Sequence, residues 1–370
     1  MRLKDVAELV NEKSEQTDLR YVALENVASW DGTFVETDAT TDGVNNRFMR
    51  GDVLFGKLRP YLAKGFLPDF SGICSTEFFV LRPRKPLIGK FLLYYLLSPG
   101  FIDAINHQTA GVKMPRTDWS SFGAMPFSLP PLPEQRRIVA FLDEKTAAID
   151  KRIALLERKR DTLKRLKKSV IHHAVTRGLD PDVPLKESGM EWIGKIPQGW
   201  IVKQAKHCVR IDHGSDPQTE GDIPVYGSGS GSFKTCGEFK NGPTVLLGRK
   251  GATLHIPHYV DGRFWNVDTA FNVSVKHGFF LRFYYYCATD FDYKFYLSQT
   301  TLPSMTQSDY ENMLLRIPPF SEQRAIADYL DTECAKIDAM VQTIEKQIDA
   351  CRRLKRALID EVVTGRRKVP

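Results

Sequence analysis

Apolar residues in this chain fall into two kinds of pattern. Between positions 130 and 178, Leu142, Ile149, Leu156, Leu163 and Val170 recur every seven residues, with Ile138 and Ile153 between them. Between 318 and 370, Ile337, Val341, Ile344, Ile348, Cys351, Leu358 and Val362 step by four and three, and Lys355 takes one position where an apolar residue is due. A seven-residue repeat sustained this long predicts a coiled-coil seam. Prolines crowd the start of each run and then stop, as a long helix requires. About 43 residues at a rise of 1.5 Å give a rod of roughly 64 Å. Ser and Thr are absent from the cap positions, so Glu134 and Glu322 are expected to serve the helix N-termini through the dipole. A lone helix of this composition is marginal in water and needs a partner along its seam. The other run in the same chain is the simplest one, and the segment between them can reverse the chain. Antiparallel packing is therefore expected, with one globular domain joined to each end.

The two helical segments are copies of one another. Pro130-Pro131-Leu132-Pro133-Glu134-Gln135-Arg136 opens the first, and Pro318-Pro319-Phe320-Ser321-Glu322-Gln323-Arg324 opens the second, 188 positions later. Laid together without a gap, residues 130–176 and 318–364 share 19 identities in 47 positions. The segments before them agree far less, yet they carry a weaker common pattern. Phe48 to Pro60 parallels Phe239 to Gly251: each reads as a short buried strand ending in Gly, then a basic loop. Cys74 to Val80 parallels Asn266 to Val273, and Pro115 and Pro303 each precede their Pro-Pro by fifteen residues. The expected fold class is therefore mixed α/β (α+β): two globular domains at 1–129 and 179–317, and two long helices at 130–178 and 318–370 packed as an antiparallel coiled coil. The two globular domains are expected to share a fold and differ in decoration.

At 370 residues the chain is too long for one ordinary core. A hydrophobic fraction of 42% and a charged fraction of 26% are those of a soluble globular protein. The longest apolar run, Phe91 to Leu97, is far short of a membrane span, and Met1 to Asp5 lacks the apolar core of a signal peptide, so a cytoplasmic protein is expected. The six cysteines, at 74, 208, 236, 287, 334 and 351, form no CxxC pair and read as reduced thiols. The net charge of +7 is unevenly placed. Glu134 to Gly178 holds thirteen Lys/Arg against six Asp/Glu, whereas Glu322 to Pro370 holds ten against nine. A basic helix of this kind faces solvent, an acidic partner or nucleic acid.

Candidate chemistry is mostly near misses. Gly51 to Leu58 approaches a phosphate-binding loop, but Leu58 stands where a magnesium-holding hydroxyl is needed and Pro60 interrupts the following helix. Ile317-Pro318-Pro319-Phe320 resembles the Asn-Pro-Pro-Phe motif of amino-methyltransferases without the Asn that grips the target amine, and no Gly-rich cofactor loop succeeds a strand. Gly227 to Gly231 reads as a turn, His172 and His173 as solvated, and His255 with His258 lacks a third metal ligand nearby. Neither catalytic nor metal-binding residues are expected. The remaining candidates suit DNA: Lys57, Arg59, Tyr61 and Lys64 in one loop, Lys113 and Arg116 before the first helix, and Arg249, Lys250 and His255 in the corresponding loop of the second domain. Such side chains grip phosphates and base edges. A second reading is a coiled-coil scaffold whose globular heads bind proteins.

With these residues assembled, the sequence resembles the specificity (S) subunit of a type I restriction-modification system. The resemblance rests on the two Pro-Pro-x-x-Glu-Gln-Arg openings, the Ile-Asp pairs at 149–150 and 337–338, and the Val-Thr pairs at 175–176 and 363–364. Gly51 to Pro60, Cys74 to Phe78 and Glu191 to Trp200 are also similar to its target-recognition domains. The stretch Glu191 to Trp200 has no counterpart before the first domain, where Met1 to Asp5 aligns only with residues after Trp200. The family implies a non-catalytic subunit in which each variable domain reads one half of a split, asymmetric double-stranded DNA site. It implies that the helices set the spacing and dock two methyltransferase (M) subunits, which restriction (R) subunits join. S-adenosylmethionine would then belong to the M subunits, and ATP with magnesium to the R subunits, leaving no cofactor and no membrane contact for this chain.

Overall fold

The computed structural model describes residues 1–370 except 17, 110–113, 192, 230 and 294–302. The chain divides into two compact units, 1–158 with 344–370, and 159–343. Each is built from one mixed α/β head and parts of both long helices.

In the first unit the chain enters through α1 (Leu3–Val6) and runs through β1 (Ala7–Val10), β2 (Lys13–Ser14), β3 (Tyr21–Val22), β4 (Asn45–Phe48), β5 (Val53–Gly56), β6 (Gly65–Phe66), β7 (Gly72–Cys74) and β8 (Phe78–Pro83). Three helices come next, α2 (Gly89–Leu96), α3 (Pro99–Asn106) and α4 (Trp119–Ala124), and then α5 (Leu132–Arg177). The strands form two four-stranded sheets, β1-β8-β5-β6 and β2-β4-β7-β3. The first is antiparallel throughout; Val53 pairs with Leu81 and Leu54 with Phe66. Its central strand β5 is buried along its whole length, as the run Val-Leu-Phe-Gly requires.

The second unit repeats this plan. After α5 come β9 (Leu185–Glu187), β10 (Lys195–Pro197), β11 (Ile201–Gln204), β12 (Val209–His213), β13 (Ile223–Tyr226), β14 (Ser232–Cys236), β15 (Lys240–Asn241), β16 (Thr244–Gly248), β17 (His258–Val260), β18 (Arg263–Asn266) and β19 (Ala270–Val275). The chain then forms α6 (Leu281–Thr289), α7 (Gln307–Asn312), β20 (Leu314–Ile317) and α8 (Phe320–Val363). The sheet β12-β19-β16-β17 matches the first unit's β1-β8-β5-β6 strand for strand. In the smaller sheets, three strands correspond: β4-β7-β3 and β15-β18-β13, each with one antiparallel and one parallel pairing. The fourth strand is placed differently. In the first unit β2 extends the sheet beside β4, and in the second β14 extends it beside β13, at the opposite edge.

The long helices extend over 46 and 44 residues, about 69 and 66 Å at 1.5 Å per residue. In the first unit the start of α5 (Ile138, Leu142) shares a core with the end of α8 (Leu358, Ile359, Val362, Val363) and with the head's own Phe91, Phe101 and Phe122. In the second the end of α5 (Ile171, Ala174, Val175) meets the start of α8 (Ile326, Ala327, Leu330). The helices are therefore antiparallel. Along the seam Leu142, Ile337, Ile344 and Leu358 are buried, while Ile149, Leu156, Leu163, Val170 and Cys351 are half-buried.

Several identities between the two helices are explained by what they touch. Gln135 and Gln323 are buried, and each clamps its head. The backbone N–H of Ile88 donates to Gln135 Oε1 (2.9 Å) and that of Phe280 to Gln323 Oε1 (2.8 Å). The Nε2 of each donates in turn to the carbonyl of the proline that opens its own motif, Pro130 (2.9 Å) or Pro318 (3.0 Å). Eight residues on, Asp143 and Asp331 each accept a tyrosine hydroxyl, Tyr94 or Tyr286, at 2.5 Å. Lys167 reaches Asp338 on the other helix (2.6 Å), and its copy Lys355 reaches Asp150, the copy of Asp338 (2.8 Å). The same ion pair is thus made once in each unit, with the donor on α8 in the first and on α5 in the second. Lys355, the polar interruption of the apolar stripe, is itself buried. Glu322 does more than face the helix dipole: its Oε1 accepts the indole N–H of Trp200 at 3.1 Å.

Among the described residues no helix is long and apolar enough to cross a membrane. Five cysteines are buried and Cys351 is half-buried, all of them free. His172 is exposed, as its helix position predicts, but it also lies 3.0 Å from Asp290.

The clamp makes a direct prediction. Gln135→Leu or Gln323→Leu keeps the size of the side chain and leaves a part-buried backbone N–H without its acceptor. Each should lower unfolding free energy by about 1–3 kcal/mol, read from urea denaturation. Unchanged midpoints in both variants would show that the motif's glutamine does not hold the head.

Candidate nucleic-acid interface

The two basic loops leave the buried central strands at the same point and are tied down by the same bonds. In the first head, β5 ends at Gly56, and Lys57 N–H donates to Glu77 O (2.7 Å) while Thr117 N–H donates to Lys57 O (3.1 Å). Arg59 N–H donates to Pro115 O (2.7 Å), and Leu58 bridges to Arg116. In the second head, Arg249 N–H donates to Thr269 O (2.7 Å), Met305 N–H to Arg249 O (2.9 Å) and Gly251 N–H to Pro303 O (3.0 Å), with Lys250 bridged to Ser304. Lys57 therefore corresponds to Arg249, Leu58 to Lys250 and Arg59 to Gly251. Pro115 and Pro303, equally spaced from their helices, are the residues that pin each loop.

The equivalence extends to backbone conformation. Gly251 has φ of 111°, where glycine is free, and Arg59 adopts a left-handed φ of 51° at the same place. Side chains rarely accept that region, at a cost of about 1–3 kcal/mol. Ala63, which closes the turn Pro60–Leu62, is left-handed too. This loop holds strained backbone while presenting Arg59 and Tyr61 to solvent.

Within each loop the basic residues separate into two tiers. The inner tier holds the loop together. Lys57 Nζ donates to Thr76 O at 2.7 Å, and Arg249 Nη1 to the equivalent Asp268 O at 3.2 Å. Lys64 Nζ donates to Leu24 O at 2.7 Å. Burial lowers the pKa of Lys57, opposed by the nearby Glu77 carboxylate, and burial likewise lowers that of Lys64. The outer tier is exposed: Arg59, Tyr61, Lys250 and His255 face solvent, and Arg116 is exposed while paired with Glu77 at 2.9 Å. Lys113 lies outside the described residues.

The motif near misses resolve structurally. The Gly51–Leu58 stretch is mostly a ladder strand whose amides are engaged, and a short 3-10 turn comes next where a phosphate loop needs a helix. His255 packs its ring near Tyr293 (6.4 Å between centroids), while His258 begins β17 and burial lowers its pKa. Among the described residues no group of three or more His, Cys, Asp or Glu is placed to hold a metal ion. Thr253 donates its hydroxyl to Ser228 O at 2.8 Å, so the glycine-rich turn buttresses the second basic loop.

One surface was missed in the sequence. β14, the strand peculiar to the second head, exposes four of its five residues. Phe233 is 61% exposed, with the Lys234 ammonium 5.6 Å from its ring. Nearby in sequence, Phe239 is 47% exposed beneath the Arg263 guanidinium. Exposed aromatic rings beside cations offer stacking and charge together. The signal available in advance was the alternation Ser232-Phe233-Lys234-Thr235, which reads equally as an ordinary edge strand.

Arg59→Gly separates strain from contact. It removes an exposed cation while putting glycine into the left-handed site that Gly251 already fills in the other head. The thermal midpoint should not fall, whereas the slope of log K against log salt for DNA should shrink by about one phosphate contact. A lower midpoint with an unchanged slope would place Arg59 in the fold and not in the interface.

Comparison with known proteins agrees with this architecture. The profile described as "Type I restriction modification DNA specificity domain" matches residues 1–165 and again 202–350, once for each head and helix. The putative type I restriction enzyme MjaX specificity subunit of Methanocaldococcus jannaschii is 23% identical over 371 residues, covering 91% of this chain and 83% of that one. The type I restriction enzyme EcoDI specificity subunit of Escherichia coli is 26% identical over 159 residues; the match spans 40% of this chain and only 35% of the relative. In three dimensions, a chain of the type I R-M system, solved to explain complex assembly and conformational transition, superposes with a TM-score of 0.76 at 21% identity over 98% of this chain and 96% of its own. The HsdS subunit from Thermoanaerobacter tengcongensis gives 0.51 at 22% identity over 99% and 96%. With both halves matched by the family profile, this chain belongs to the type I restriction-modification DNA specificity family and is a specificity subunit.

Proposed function

We propose that this specificity subunit reads a bipartite, asymmetric double-stranded DNA site, the head in 1–129 reading one half and the head in 179–317 the other. The helices at 130–178 and 318–370 set the distance between the halves and dock two methyltransferase subunits, which restriction subunits join. Catalysis, S-adenosylmethionine, ATP and magnesium then reside in those subunits. The observation that carries the reading is a pair of heads with one frame and different outer surfaces. The inner contact of Lys57 is repeated by Arg249, whereas the outer tier differs: Arg59, Tyr61 and Arg116 in one head, Lys250, His255 and Phe233 of β14 in the other. Different outer tiers on equivalent supports are what reading two unlike half-sites requires.

Docking of two identical partners is supported by identities that packing does not explain. Arg165 and Leu166 are repeated as Arg353 and Leu354, and all four are exposed; the leucines are 48% and 58% exposed. An exposed leucine costs the subunit solubility and contributes nothing to its own core. Its repetition at equivalent positions suits one partner surface used twice.

The first test exchanges residues 179–317 for those of another family member, in complex with the methyltransferase subunits. Sequencing of the methylated motif should find one half changed and the other retained; alteration of both halves would end the two-head reading. DNA affinity of the same complex should fall steeply with salt, since phosphate neutralisation releases counterions. A salt-insensitive or undetectable affinity would favour a scaffold whose heads bind proteins. For docking, Leu166→Asp or Leu354→Asp should each leave one methyltransferase subunit bound by native mass spectrometry, and the double variant none. Two subunits on the double variant would exclude this patch.

A further inference from the structure

The two Lys–Asp pairs between the helices are copies, but among the described residues only one of them is joined by a head. Lys355 Nζ bonds both oxygens of Asp150 at 2.8 Å and also bonds the carboxylate of Asp31 in the first head. Its side chain is only 11% exposed. Lys167, its copy, bonds Asp338 alone among the described residues, and its side chain is 32% exposed. The next residue repeats the asymmetry: the Arg356 guanidinium lies 4.3 Å from the ring centroid of Trp30. The pair Trp30–Asp31 therefore grips two consecutive cations of α8.

The same pair also touches the basic loop. Trp30 is itself left-handed, with φ of 64°, and its N–H donates to Ala63 O at 3.1 Å. Ala63 closes the turn that begins at Arg59. Asp31 is held in place by the Thr33 hydroxyl at 3.1 Å, and Ala28 N–H closes the small loop on Thr33 O at 3.0 Å. A short covalent and hydrogen-bonded path thus runs from Lys355 and Arg356 through Asp31 and Trp30 to the strained turn that presents Arg59 and Tyr61. In the second head the corresponding loop is buttressed from within the head, by Ser228 through Thr253 and by the Tyr310 hydroxyl on Gly248 O at 2.6 Å.

We infer that Asp31 and Trp30, held by Lys355 and Arg356, are positioning residues that set the basic loop of the first head relative to the helix pair. They thereby determine how strictly that head reads its half-site. The inference rests on the proposed reading of DNA by this loop. It goes beyond it in making one head's specificity depend on the helices while the other's does not. Asp150 serves the helix pair and Asp31 serves the head, so the two partners of one ammonium can be tested apart.

The experiment uses the complete complex with its methyltransferase subunits and three DNA duplexes: the intact site, one with the first head's half-site scrambled, and one with the other half scrambled. The first head's half is assigned beforehand by exchanging residues 1–129 for a relative's. Asp31→Asn and Trp30→Ala, singly and together, should reduce discrimination at the first head's half-site by about tenfold, the order of one mismatched base pair. Discrimination at the other half should be retained, and Lys167→Met should leave both halves unchanged. The thermal midpoint of each complex is measured alongside. Unchanged discrimination in the double variant, while Tyr61→Ala relaxes the first half-site, would overturn the positioning role and leave DNA reading intact. A neutral Tyr61→Ala at both half-sites would overturn reading by this loop, and the inference with it. Equal loss at both half-sites would reduce Asp31 and Trp30 to general stability.

Discussion

A head placed on a long helix is useful only if the junction cannot swivel, and a single buried glutamine provides this in each unit. Gln135 and Gln323 each accept from the backbone at the start of the head's helical segment and donate to the proline carbonyl at the start of the long helix. Both groups would otherwise lose their partner at a half-buried junction, and the amide's planar donor and acceptor fix two chain segments at once. The Asp–Tyr contact two helical turns later adds a second point, and two points define an orientation. The Pro-Pro-x-x-Glu-Gln-Arg motif is thus an attachment device.

The second constraint is register. A purely apolar heptad seam allows an antiparallel pair to slip, because one leucine layer is much like the next. The reciprocal pairs Lys167–Asp338 and Lys355–Asp150 oppose slippage, since any shift would strand a seam lysine without its carboxylate. Together with the glutamine clamps they make two equivalent platforms from a duplicated segment. On those platforms the heads are free to diverge in their outer residues and in the edge that carries the fourth strand. The duplication therefore yields sameness in the platforms and difference in the outer surfaces of the heads.

Much of this was legible in the sequence, for reasons that differ by feature. Heptads and a gap-free repeat reveal helices because periodicity is local, and the motif spacing marked their start within two residues. The common frame of the heads showed through Gly56 with Gly248 and through the two pinning prolines, which are needed for backbone geometry and survive changes of surface. Lys355 was misleading. In a linear pattern it breaks an apolar stripe, and only its partners, 205 and 324 positions away, reveal a buried lysine held by two exposed carboxylates. Lys57 and Lys64 likewise read as outward-facing cations, yet each spends its ammonium on a carbonyl of its own head. Long-range polar contacts have no periodicity, which is why the outer tier could not be separated from the inner one in advance.

The central claim is that the duplicated helices act as a ruler between two readers, and changing the ruler's length tests it most directly. The reciprocal pairs lie on either side of residues 158–159 and 346–347, and removing seven residues, 156–162, from one helix and seven, 344–350, from the other preserves both heptad phases. Each helix would shorten by about 10.5 Å, roughly three base-pair steps at 3.4 Å. The methylated motif of the assembled complex, read by single-molecule sequencing, should keep both half-sites and shift to a spacer shorter by up to about three base pairs. The original spacer, retained by a folded variant that still binds its methyltransferase subunits, would contradict the account.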